Sequence, residues 1–100
     1  MNLKLNYEGF KQNIIAIGNV EGLDGIQYLF RFENNYGASV IKHKGSYGHE
    51  DDLWELAVIK FDNDDNDSWD LTYDTPITAD VEGWLTDDEV RALLQRIKEL

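Results

Sequence analysis

A chain of 100 residues with 42% hydrophobic and 12% aromatic side chains and a single proline has the composition of one folded domain, not of a disordered segment. The lack of cysteine excludes disulfides, thiolate metal sites and a cysteine nucleophile, and no apolar run approaches the roughly 18 residues that span a bilayer. The formal net charge of −11 is unevenly placed: residues 50–89 hold fifteen of the twenty acidic side chains against one base, Lys60, so this stretch carries −14 and the remainder +3. Charge so one-sided bears on partners and solubility more than on fold.

Residues 1–12 admit two readings. Leu3, Leu5 and Tyr7 alternate as in a strand, whereas Tyr7, Phe10, Ile14 and Ile17 could share a helical face. A strand is predicted over residues 13–20, with Gly22 and Gly25 supplying the turn into a second one. There Ile26, Tyr28, Phe30 and Phe32 occupy one face with period two, and Gln27, Arg31 and Glu33 the other. Asn34-Asn35-Tyr36-Gly37 tolerates positive φ and reverses the chain into a third strand over residues 38–43. Gly45 and Gly48 mark a loop. Residues 53–61 are apolar on both faces, Trp54, Leu56 and Val58 on one and Leu53, Ala57, Ile59 and Phe61 on the other, which predicts a central strand. Asp62-Asn63-Asp64-Asp65-Asn66-Asp67 cannot bury itself and is read as a solvated hairpin tip leading to a strand over residues 69–73, which Pro76 helps to end.

The last element is the best specified. Thr86 and Glu89 form a capping box in which each side chain answers the other's backbone amide, and Leu85 with Val90 fits the accompanying hydrophobic staple. Asp87 and Asp88 suit the positive first turn, Arg96 and Lys98 the negative last one, and Val90, Leu93, Leu94 and Ile97 make one apolar stripe. The expectation is a single α+β domain over residues 1–100, an antiparallel sheet packed by a C-terminal helix at about 87–98. Trp54 is assigned to the core, and Trp69 or Trp84 to a partly exposed position.

From Phe32-Glu33-Asn34-Asn35-Tyr36-Gly37-Ala38-Ser39-Val40, through Gly45-Ser46-Tyr47-Gly48 and Leu53-Trp54-Glu55-Leu56-Ala57-Val58, to Leu71-Thr72-Tyr73-Asp74-Thr75-Pro76-Ile77 and Gly83-Trp84-Leu85-Thr86, the chain resembles small proteins encoded by bacteriophages and prophages. The resemblance implies an origin and a bacterial host cytoplasm, and it brings no catalytic residues. In size and charge the chain is also similar to the small acidic anti-CRISPR and anti-restriction proteins of phages.

The residues themselves offer little chemistry. Asp62, Asp64 and Asn66 stand at the first, third and fifth places of an EF-hand-like loop, but Asp67 replaces the required glycine and Tyr73 the required glutamate. His43 and His49, near Glu50, Asp51 and Asp52, match no zinc spacing. No metal and no cofactor are therefore expected. The glycines form neither a phosphate loop nor a nucleophile elbow, and the chain is read as non-enzymatic. Lys42, Lys44, Arg91, Arg96 and Lys98 make only small basic patches, which argues against direct nucleic-acid binding, and no membrane partner is expected. The reading that follows is an acidic surface imitating DNA, built from Glu50, Asp51, Asp52, Asp62, Asp64, Asp65, Asp67 and Asp70, that binds and inhibits a host protein with a basic nucleic-acid-binding surface. The competing reading is a structural or regulatory module that self-associates through a sheet edge or an aromatic patch. The oligomeric state does not follow from composition.

Overall fold

The computed structural model describes residues 3–19, 25–43, 52–72, 75–77 and 82–100. Strands β1 (Ile14–Gly18), β2 (Gly25–Arg31), β3 (Tyr36–His43), β4 (Trp54–Phe61) and β5 (Trp69–Leu71) lie side by side in chain order, and β6 (Glu82–Leu85) also pairs with β4. Every pairing is antiparallel. One helix, α1 (Asp87–Lys98), packs on the face formed by β3, β4 and β6. The protein is thus an α+β domain with β4 at its centre.

Period-two alternation decides which face is buried. Tyr28, Phe30 and Phe32 from β2 and its continuation, Ala38 and Val40 from β3, and Trp54, Leu56 and Val58 from β4 share one core with Val90, Leu94 and Ile97 of α1. Leu93, expected in that stripe, is half-buried at its margin, as is Ile26 on β2. β4 is buried on both sides: Ile59 and Phe61 are covered on the face opposite the helix. That is why its sequence runs apolar without alternation.

The ends of the elements depart from expectation in definite ways. Neither reading of residues 1–12 holds, because residues 3–7 run without regular structure, the chain turns at Glu8 and Gly9, and a 3-10 turn at Lys11–Asn13 leads into β1. Leu5 and Phe10 are nonetheless buried. The first strand therefore starts at Ile14 and stops at Gly18, and the last hairpin strand stops at Leu71. β6 was not anticipated; four residues with a glycine carry no alternation to betray it. Gly83 and Trp84 stand opposite the single residue Glu55, forming a bulge in which Trp84 takes φ 55°. The turn at residues 21–24 and the loop at Gly45 and Gly48 lie outside the described residues.

The helix begins as its sequence dictates. Thr86 Oγ1 accepts from the Glu89 amide at 3.2 Å, and Glu89 Oε1 accepts from the Thr86 amide at 3.0 Å. Its far end is held by the β2–β3 turn, where Asn34 Nδ2 donates to the Ile97 carbonyl at 2.9 Å. Asn35 in that turn has φ 68°, and Gly37 next to it admits no side chain, since a Cβ would lie 1.9 Å from the Phe30 carbonyl oxygen.

Candidate functional site

The acidic hairpin joins β4 to β5, with Phe61 opposite Trp69 and Lys60 opposite Asp70. Its turn is built largely by its own amide and carboxylate groups. Asn63 Oδ1 accepts from the Asp65 amide at 2.7 Å, Asp65 Oδ1 accepts from the Asp67 amide at 2.8 Å, and the Asp62 amide donates to the Ser68 carbonyl at 3.2 Å. Such Asx turns satisfy backbone groups that a solvated loop would otherwise leave to water.

Arg31, at the end of β2, reaches this turn across β3. Its guanidinium lies 4.3 Å over the Phe61 ring and donates to Asn66 Oδ1 at 2.8 Å, to the Asn63 carbonyl at 2.6 Å and to Asn35 Oδ1 at 3.1 Å. The missing side chain at Gly37 makes room: a Cβ there would stand 3.0 Å from Phe61 Cε2. All three of these hydrogen bonds go to neutral oxygens. The cation thus orders the turn without taking a carboxylate, and Asp62, Asp64, Asp67 and Asp70 remain exposed. Asp65 is exposed too, but it also serves the turn through the Asp67 amide.

Of the eight residues expected to form one surface, the structure brings together the five from Asp62 to Asp70 and leaves Asp52 apart. Glu50 and Asp51 lie outside the described residues. Asp52 sits before the first residue of β4 and the hairpin turn follows the last, so the length of this strand, roughly 25 Å, separates them. Nor is Asp52 a bare charge. With φ 61° it directs Oδ1 to Lys42 Nζ at 3.1 Å, and that ammonium also lies 4.2 Å over the Trp54 ring. Lys42, assigned to a small basic patch from sequence, is instead 2% exposed. A buried lysine needs a counter-charge and a π face, and Asp52 and Trp54 provide them.

The neighbouring acids of α1 are likewise engaged. Asp87 accepts from Trp54 Nε1 at 2.7 Å and from the Asn6 amide at 3.2 Å, Asp88 pairs with Arg91, and Glu89 completes the capping box. An open surface groove of about 570 Å³ runs beside residues 4–9 with Asp87 in its wall. Among the described residues no group of three or more histidines and carboxylates converges as a metal site would require. His43 has only its backbone described, and His49 lies outside the described residues.

Sequence reasoning missed Arg31, which it placed on the polar face of β2 and no further. A signal existed in Asn66 among the aspartates, since a side-chain amide oxygen is what a structural guanidinium can bind among carboxylates that stay exposed; the Asn63 contact goes to a main-chain carbonyl and carries no such signal. Comparison with protein-family models, with characterised proteins and with solved structures finds no match.

Proposed function

We propose that the protein is a non-enzymatic phage accessory protein that binds a host protein with a basic nucleic-acid-binding surface and inhibits it by occupying that surface. The supporting observation is the Arg31 clamp: it fixes the turn through neutral oxygens, so the carboxylates of Asp62, Asp64, Asp67 and Asp70 stand exposed on an ordered hairpin, with no ion pair to a cation among the described residues. Fixed carboxylates cost less ordering on binding than mobile ones, and in a basic groove they replace phosphates. The phage-like resemblance supports the same reading.

The test is capture of proteins from bacterial lysate at low and high salt, with duplex DNA as competitor. Capture should weaken steeply with added salt and with DNA, and a variant carrying lysine in place of Asp62, Asp64, Asp67 and Asp70 should lose it while remaining folded. Undiminished capture by that folded variant would rule the reading out.

A further inference from the structure

We propose that Trp84 anchors an arginine side chain of a partner protein, within the same interface as the acidic hairpin; the proposal rests on the reading that this partner is basic. Trp84 combines two costs at one residue. Its backbone takes φ 55°, a left-handed conformation that a bulky side chain rarely adopts, and its indole is 57% exposed. Core packing does not ask for this ring, because Leu85 supplies the buried side chain of β6. Both β5 and β6 pair with the edge of β4 that β3 leaves open. Asp70, opposite Lys60, therefore lies five residues along β4 from the bulge opposite Glu55, which is about 17 Å. One interface of about 800 Å² per partner covers that distance.

The surroundings of the ring select the occupant. Glu55 stands opposite the bulge, and Glu82, two residues before Trp84, is exposed, so the indole lies among carboxylates. Leu71, also exposed on this side, stands opposite Ile59, about 13 Å along β4 from the bulge, so the two do not form one apolar patch. An apolar pocket closing over Trp84 would strip water from the carboxylates without answering their charge. A cation answers both the ring face and the charge. The protein builds this combination internally, where Lys42 lies 4.2 Å over the Trp54 ring with Asp52 as its counter-charge. At an exposed ring the weakly hydrated guanidinium stacks better than an ammonium, which makes arginine the cation this site prefers.

The test titrates the intact chain with blocked tetra-arginine and tetra-lysine peptides, which carry equal charge, and follows the indole N–H resonance of Trp84. Tetra-arginine should move that resonance saturably and bind about fivefold more tightly than tetra-lysine. Trp84→Gly, which relieves the backbone at φ 55°, should remove the preference while melting no lower than the parent. Trp84→Phe keeps a ring and should retain most of it. Three outcomes would each overturn the proposal: a Trp84 resonance that stays in place, equal affinity for the two peptides, or a Trp84→Gly variant that keeps the preference or melts below the parent. Lysine substitution of the hairpin aspartates should weaken both peptides and leave their ratio unchanged. Failure of the arginine site and failure of partner capture by the hairpin are thereby separable.

Discussion

At the Trp54 end of β4, Asp52, Asp87, Asp88 and Glu89 commit their carboxylates to the fold, against Lys42, Trp54 with Asn6, Arg91 and the Thr86 amide; at the Phe61 end, Asp62, Asp64, Asp67 and Asp70 are exposed around a turn fixed by Arg31 through neutral oxygens. The same residue type thus serves cohesion at one end and display at the other. What separates the two uses is the neighbourhood: a buried lysine, an indole N–H and a helix start at the first end, and amide side chains interleaved with the acids at the second. Net charge alone says nothing of this division.

Both ends depend on a common core, and the largest effect should come from there. Leu94→Ala, at a fully buried position of α1, should destabilise by about 2–5 kcal/mol in denaturant unfolding. A loss below about 1 kcal/mol would mean that the helix face is not the packed one.

Removing one acid from the cohesive end should have the next largest effect. Asp87→Ala leaves the Trp54 indole N–H and the Asn6 amide without their acceptor and should cost about 1–3 kcal/mol. Asp52→Ala should fall in the same range of about 1–3 kcal/mol, less than for a wholly buried pair, because Asp52 is itself half-exposed. Thr86→Ala should cost about 0.5–2 kcal/mol through the Glu89 amide it leaves unpaired.

The display end should respond locally. Arg31→Ala should raise hydrogen exchange across residues 62–68 while amides of β3 and β4 keep their protection. Exchange unchanged in the turn would show that the Asx turns hold it without the guanidinium. Smallest of all should be the effect of Asp64→Ala on the thermal transition, which exposed charges scarcely move. If it destabilises as much as Asp87→Ala, the two ends do not differ as argued.

The sheet was legible where one face is buried and the other is not. Tyr28, Phe30 and Phe32 announced β2, the double-sided run announced the centrality of β4, and Thr86 with Glu89 marked the start of α1, because each pattern is set by neighbours close in sequence. The contacts that lie far apart in the chain were not legible. Asn34 reaching the end of α1, Arg31 reaching the turn after β4, and Lys42 finding Asp52 and Trp54 each join elements whose proximity only the topology creates. β6 was hidden for a related reason, since its pairing with β4 is interrupted by a bulge and its burial rests on Leu85. Of the candidate surface the hairpin was placed in advance, whereas the separation of Asp52 from it by the length of β4 was not.

The three tryptophans sit in three unlike settings, and this makes the molecule its own optical reporter. Trp54 is enclosed, bonded to Asp87 and stacked by an ammonium; Trp84 is 57% exposed in the β6 bulge; and Trp69 is half-buried opposite Phe61 at the root of the acidic hairpin. With the other two replaced by phenylalanine, emission from Trp69 alone should shift when a partner dehydrates the hairpin. Emission from Trp54 alone should change only when the core opens. Docking on the display end and loosening of the cohesive end would then be distinguished by colour, in one cuvette and without any attached dye.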